Sequence, residues 1–282
     1  VQAESVPQAK KRFGQNFLVQ PAIVQRIVAA VGPDSGDALV EIGPGRGALT
    51  RALLAALAPA QRLRVIELDR DLLPILRNLA PPERLEILAA DALKVDFLKL
   101  AGTAGARLRI VGNLPYNIST PLLFHLLGQA EAIADMHFML QREVAERIVA
   151  RPGSGTYGRL SVMLQAYCLV EMLFPVAPGN FHPVPKVDSA FLRLVPRHPT
   201  PIAPARQALF AEVVRLAFAQ RRKTLANNFR GRLPASAWEQ LAIDPGRRAE
   251  TLSVDDFFRL TEALDTAGVG YGPHEGRRRP FR

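Results

Sequence analysis

Asn113, Leu114, Pro115 and Tyr116 follow an apolar run, Leu108-Arg109-Ile110-Val111, and precede another apolar stretch. An amide, a main-chain carbonyl before a proline, and an aromatic ring in four consecutive residues suit one kind of chemistry. An exocyclic amine on a heteroaromatic base is planar, because its lone pair is delocalised into the ring. To attack a methyl group it must become more tetrahedral. The Asn113 side-chain oxygen and the Leu114 carbonyl could each accept one N–H bond from such an amine and favour that shape. Pro115 would fix the turn that aims the Leu114 carbonyl, and Tyr116 would stack on the base. The amine is neutral before attack, so no strong general base is needed, and catalysis would rest on positioning and electrostatics. A plain turn would also account for the Asn and the Pro, though not for the Tyr.

A second constellation lies upstream. "EIGPGRGALT" (41–50) follows an apolar run and opens a helical one. Its glycines, Gly43 among them, let backbone approach a ligand without Cβ clashes. Glu67 ends the next apolar run, where a carboxylate can bind ribose hydroxyls, and Asp91 ends the one after it, where a base could lie. Together they read as a site for an adenosine-containing cofactor, with a structural tight turn as the alternative. Glycine loop and distal acid serve a dinucleotide as well as S-adenosylmethionine. The Asn113–Tyr116 tetrad favours the latter.

These residues must be held by strands and helices. Pro21 opens a helix carrying Ile23, Val24, Ile27, Val28 and Val31. Strands are expected at 38–43, 63–68, around "RLEILAAD", at "RLRIVGN" and at 134–141. Helices are expected at 48–57, 71–79, near 121–127 and at 143–150. The alternation predicts an α/β, doubly wound sheet, parallel for its first five strands. Two further strands, 168–174 and 189–195, extend its edge, at least one of them antiparallel. "VPRHPTPIAPAR" (195–206) is rich in proline and reads as a linker. The expected boundaries are therefore 1–198 for the sheet domain and 199–282 for a small helical domain. In the latter, Ser253 and Asp256 form a capping box before Phe257, Phe258, Leu260 and Leu264.

The 282 residues are 48% hydrophobic and 22% charged, a globular composition able to bury a large core. No run is apolar enough for a membrane span, and 1–12 lacks the apolar segment of a secretory leader. Cys168 is the only cysteine and the five histidines do not pair at ligand spacing, so no metal is expected. The lone thiol is compatible with a reducing, cytoplasmic location. The net charge of +10 suggests a polyanionic partner. Its basic clusters are Lys10-Lys11-Arg12, Arg221-Arg222-Lys223, Arg247-Arg248 and Arg277-Arg278-Arg279. Such runs can also pair with local acids.

The sequence resembles the bacterial small-subunit (16S) rRNA adenine N6,N6-dimethyltransferases, the KsgA/RsmA family. The resemblance runs through "KRFGQNFL" (11–18), "EIGPGRGALT", "VIELDRDL" (65–72), "GNLPYNIST" (112–120), "MLQREVAERI" (139–148), "YGRLSVMLQAY" (157–167), "FHPVPKVDSAFLRLVP" (181–196) and "FAQRRKTLANNF" (218–229). It implies a Rossmann-like class I methyltransferase domain with a seven-stranded, mostly parallel sheet and a small all-α domain. It implies transfer of methyl groups from S-adenosyl-L-methionine to N6 of two adjacent adenosines near the 3′ end of 16S rRNA, within the small subunit or its precursor. A monomer is expected. Donor contacts would fall on Asn16, Leu18, Gly43, Glu67, Asp91 and Asn113. Phe181 would stack on the adenine opposite Tyr116, its alternative being a core aromatic. Arg221, Arg222 and Lys223 would contact the RNA backbone. A non-catalytic ribosome assembly or transcription factor on the same fold is the competing reading; the intact tetrad and glycine loop favour the enzyme.

Overall fold

The structure is a computed structural model that describes residues 8–10 and 14–266. Its central sheet starts from buried, largely apolar runs. Strands β2 (Ala38–Ile42), β3 (Leu63–Glu67), β4 (Leu85–Ala89), β5 (Leu108–Asn113) and β6 (Ile133–Gln141) follow a two-residue strand, β1 (Phe17–Leu18). Beyond them come β7 (Cys168–Val176), β8 (Phe181–His182) and β9 (Ser189–Pro196). The seven-stranded sheet has the order β4-β3-β2-β5-β6-β9-β7. Pairing is parallel from β4 through β6, and β9 joins β6 antiparallel. Parallel neighbours need crossovers, and helices supply them. The expected parallel set and the two added edge strands are present.

Helix α1 (Pro21–Val31) illustrates how the pattern becomes structure. Proline sits in its first turn, and Val24, Ile27, Val28 and Val31 are buried. Gly32, with φ 54°, ends it and returns its N–H to the Val28 carbonyl at 2.9 Å. Each such fully buried aliphatic side chain stabilises the packing by roughly 1.5–3 kcal/mol. Helices α2 (Ala48–Ala56), α3 (Leu73–Arg77), α4 (Phe97–Ala104) and α5 (Ser119–Leu127) carry the next connections. The expected helix 71–79 is shorter as an α-helix, because Asp69 caps a 3-10 turn over 70–72 before it. Helix α4 and the strands β1 and β8 were not expected from the sequence. The two strands are too short to show any alternation, and they pair only with each other, at Phe17↔His182 and Leu18↔Phe181.

The chain divides into two compact units, 1–145 with 171–196, and 146–170 with 197–282. The junction after Pro196 lies at the proline-rich stretch. The segment 146–170, which the sequence reading places in the sheet domain, belongs to the second unit. Its helix α6 (Arg159–Tyr167) is apolar on several sides, and Tyr167 meets Phe210 of α7 (Gln207–Ala217) edge to face at 6.2 Å. Within this unit the capping box is realised. The Asp256 carboxylate accepts from Ser253 N–H at 2.9 Å, and Ser253 Oγ accepts from Asp256 N–H at 3.1 Å. Among the described residues no helix is long and apolar enough to cross a membrane.

Candidate active site

The carboxyl ends of β4, β3, β2 and β5 stand side by side on one edge of the sheet, so residues far apart in sequence meet there. A cavity opens on that edge, lined among others by Asn16, Leu18, Gly43, Glu67, Asp91 and Asn113. Those are the six donor contacts named from the sequence. The tetrad 113–116 lines the same cavity.

Each side chain has a local cause for its position. Gly45 has φ 57°, and a Cβ there would lie 2.8 Å from the Phe17 ring, so only glycine lets the loop pass under β1. The Gly45 N–H donates to Glu67 Oε2 at 3.1 Å, and the Asp69 N–H donates to Oε1 at 2.8 Å. Glu67 is thus clamped by backbone, and it lines the cavity. Burial pushes its carboxyl above the ordinary range, and those two N–H bonds oppose the shift. Asp91 caps a 3-10 turn by accepting Leu93 N–H at 3.0 Å on one oxygen. No donor among the described residues reaches the other.

The tetrad leaves the sheet where Gly112 lies so close to β2 that a Cβ would meet the Ile42 carbonyl oxygen at 2.5 Å. Asn113 donates its side-chain N–H to the Asn16 carbonyl at 2.7 Å. That bond settles which way the amide faces: Nδ2 holds the N-terminal segment, and Oδ1 is left without a donor among the described residues. Leu114 N–H bonds to the Met139 carbonyl at 3.2 Å. The Pro115 carbonyl accepts Ile118 N–H, and the Tyr116 carbonyl accepts Ser119 Oγ–H. The Leu114 carbonyl takes no such bond among the described residues. Tyr116 is half-buried, and its hydroxyl lies 3.0 Å from Ser189 Oγ, which fixes the ring.

This arrangement presents two acceptors without a donor among the described residues, Asn113 Oδ1 and the Leu114 carbonyl, beside an aromatic ring and a carboxylate-lined cavity. The family model for ribosomal RNA adenine dimethylase matches residues 6–266. The chain belongs to that family. The dimethylase is 65% identical over 268 residues to a ribosomal RNA small subunit methyltransferase A of Acidithiobacillus ferrooxidans, covering 95% of this chain and 99% of that one. A protein of the same name from Marinomonas is 53% identical, covering 89% and 94%. Among solved structures, a dimethyladenosine transferase from Plasmodium falciparum superposes with a TM-score of 0.77 at 26% identity, covering 90% of this chain and 98% of that one. The 23S rRNA methyltransferase ErmE gives a TM-score of 0.67 at 26% identity, covering 89% and 100%. The dimethylase is accordingly a methyltransferase acting on rRNA adenine, on a Rossmann-like class I fold.

The structure does not bring every expected residue to the site. Phe181 is a core residue here: its side chain is 1% exposed, packs in the same apolar cluster as Leu18, Phe174 and Phe191, and does not line the cavity. The register of β8 explains this, since alternation turns Phe181 inward and leaves its neighbour His182 exposed. The geometry places one ring of the expected pair, Tyr116, at the cavity. In the second unit, Arg221 is committed to local partners: its Nε donates to Glu250 at 3.1 Å, and its Nη2 bonds the Gly155 carbonyl. Arg222 and Lys223 are exposed with no acid paired to them among the described residues. Lys10 forms ion pairs with Asp69 and Asp71, both at 2.5 Å. Lys11, Arg12 and the tail 277–282 lie outside the described residues. No group of His, Cys, Asp or Glu suited to a metal occurs among the described residues.

Sequence reasoning missed the clamp that holds the N-terminal segment. Lys10 Nζ and Gln15 Nε2 both donate to Asp69, whose own N–H anchors Glu67. Burial works to raise the Asp69 carboxyl, but the Lys10 and Gln15 bonds outweigh it and hold it below the ordinary range. Nothing in the spacing of residues 10, 15 and 69 pointed to that contact. Ser189 was likewise invisible, 73 residues from the tyrosine it holds.

Proposed function

We propose that this chain dimethylates N6 of two adjacent adenosines near the 3′ end of 16S rRNA, with S-adenosyl-L-methionine as donor, in the small ribosomal subunit or its precursor. The observation that carries the reading is the pair of open acceptors, Asn113 Oδ1 and the Leu114 carbonyl, at the end of β5. An adenine amine offers two N–H donors, and two acceptors at one turn are what its first methylation needs. Holding both bonds favours the tetrahedral nitrogen, so the contacts strengthen as the transition state is approached. Tyr116, fixed through Ser189, offers a face for the base. A duplex buries its adenines, so the target must be unstacked before it is held.

The donor fits the residues present. Glu67 is oriented by two backbone N–H groups and can accept from ribose hydroxyls; Asp91 keeps an oxygen for the adenine amine. The glycine loop admits backbone contact where a side chain would collide with Phe17. When bound, S-adenosylmethionine supplies an electrophilic methyl group. The chain's own part is to place the amine in line with it and to keep Asn113 and Leu114 aimed. The second unit would track the RNA backbone through exposed cations such as Arg222 and Lys223. We read the enzyme as monomeric and cytoplasmic.

The test is mass analysis of 16S rRNA after incubating small subunits that lack the modification with this protein and labelled donor. Two adjacent dimethylated adenosines near the 3′ end are expected. Label on a cytosine, a guanine or an adenine elsewhere in 16S rRNA, with no such product, would overturn the assignment.

A further inference from the structure

Glu41 has no part in the reading above, yet it lines the same cavity. It is the second-last residue of β2 and is 2% exposed. Thr50 Oγ1, from α2, donates to its Oε2 at 2.7 Å. No cation pairs with it among the described residues. From β3 it faces the Glu67 carboxylate, a like charge, and its ladder partner there is Val65. From β5 its ladder partner is Val111. Arg46, in the glycine loop, is placed over the Phe17 ring at 4.7 Å. A carboxyl in these surroundings keeps its proton: burial pushes it up to about 8, with the Thr50 bond opposing and Glu67 adding to the rise.

The order of strands says what would lie above it. β2 stands between β3, which ends in Glu67, and β5, which ends in Asn113. A donor with its ribose at Glu67 and its methyl near Asn113 must cross β2 with the segment between. That segment carries the sulfonium, and the amino-acid ammonium is close behind.

We propose that Glu41 senses the charge of the methyl donor, losing its proton to solvent when the sulfonium binds and regaining one when transfer leaves a neutral thioether, so that the enzyme holds donor more tightly than spent product. The inference rests on the donor placement above. The balance closes. On binding, the carboxylic acid becomes a carboxylate and one proton enters solvent. On transfer, the S–CH3 bond breaks with its electron pair left on sulfur, an N–CH3 bond forms, and the amine releases a proton. The carboxylate, no longer facing a cation, takes a proton up. Attraction between an anion buried in protein and a sulfonium is stronger than the same pair would have in bulk water.

Calorimetry on the whole chain tests this, with S-adenosylmethionine and S-adenosylhomocysteine titrated in buffers of differing ionisation enthalpy. The sulfonium lowers the pKa of the ligand's own amine, so each ligand is also titrated against Glu41→Gln, and the difference between wild type and variant isolates the carboxyl. Wild type should release close to one more proton with the sulfonium than with the thioether at pH 7. Its donor affinity should rise close to tenfold from pH 6 to pH 7, as linkage to a single proton requires. In Glu41→Gln the difference and the pH dependence should fall to the small share that the ligand amine contributes, and the preference for donor over product should fall. Equal proton counts for the two ligands in wild type would overturn the proposal without need of the variant, while leaving the donor site intact. Absence of any saturable donor binding would instead overturn the donor placement itself.

Discussion

Strand β5 carries a polar residue at each end, and the two ends behave differently. Near its start Arg109 spends its donors inside the protein. Nε and Nη2 meet the two Asp135 oxygens, each at 3.0 Å, and Nη1 meets Asp37 at 2.5 Å. The same guanidinium bonds the carbonyls of Val31 and Gly32 at the end of α1. At the other end Asn113 uses its N–H on Asn16 and leaves its oxygen open. The carboxylates follow suit: Asp135 is saturated by arginine, whereas Glu41 and Glu67 meet hydroxyl or backbone donors and no arginine. A buried polar group satisfied by its own chain holds the fold. One left short of partners at a cavity is held for something that arrives later.

Breaking the saturated end should cost most. Arg109→Met leaves the buried Asp135 with only the more distant Arg193, at 3.8 Å, and should destabilise the fold by ~3–5 kcal/mol, read from urea unfolding. Donor affinity, measured where the variant is still folded, should stay near the parental value. A loss of affinity without loss of stability would erase the distinction between the two ends.

Asn113→Ala acts at the open end. Methyl transfer should fall by about 10²–10³, or ~2.7–4 kcal/mol, as when an oriented transition-state partner is removed. The lost bond to Asn16 should weaken the donor only by ~1 kcal/mol. Turnover near normal in single-turnover assays would remove the amide from the chemistry.

Glu41→Gln sharpens the comparison through pH. The Glu41 carboxyl titrates higher in the folded chain, about 8, than its ordinary value of 4.5. The folded state therefore binds the proton more tightly. The stability this contributes is fully present below pH 4.5 and is lost as pH rises through 8. Relative to wild type, the free Gln variant should gain stability by up to ~1.4 kcal/mol per pH unit across that window, and then level off. A constant difference in thermal melts from pH 5 to pH 8 would show that Glu41 is ionised in the folded protein.

Glu67→Ala removes a charged acceptor from the donor ribose and should weaken S-adenosylmethionine binding by ~1.5–3 kcal/mol, measured by calorimetry. It also frees the N–H groups of Gly45 and Asp69. Glu67→Gln, which keeps an acceptor for one of them, should recover part of the loss.

The smallest effect belongs to the second unit. Replacing Arg222 and Lys223 by Ala should flatten the dependence of log K for RNA on log salt by up to ~2, near 0.9 per lost phosphate contact. Arg221→Ala should change the slope less, because Glu250 and Gly155 already hold that side chain. An equal effect from Arg221 would mean that RNA displaces its local partners.

Much of the site was legible in the sequence because it rests on local rules. A glycine loop after a strand, an acid at a strand end and a proline turn are each set by a few neighbouring residues. Parallel strands then bring those ends to one edge without further instruction. The expectations for Gly43, Glu67, Asp91 and Asn113 needed only that step. Where one residue's role depends on which face of a short strand it takes, the sequence was silent. Phe181 and His182 differ by one position, and pairing with β1 sent the phenylalanine to the core.

The sequence by itself determined the order of strands and helices, the edge on which the ligand site lies and the chemistry its residues can perform. Periodicity, turn residues and motif spacing are properties of contiguous chain. Only the tertiary structure decided which polar groups would find partners. Arg221 met Glu250 across 29 positions and Lys10 met Asp69 across 59, while the Leu114 carbonyl met no donor among the described residues. Satisfaction of a polar atom depends on packing in three dimensions and on the water that packing excludes. That accounting separated the groups that hold this protein together from those left open for its substrates.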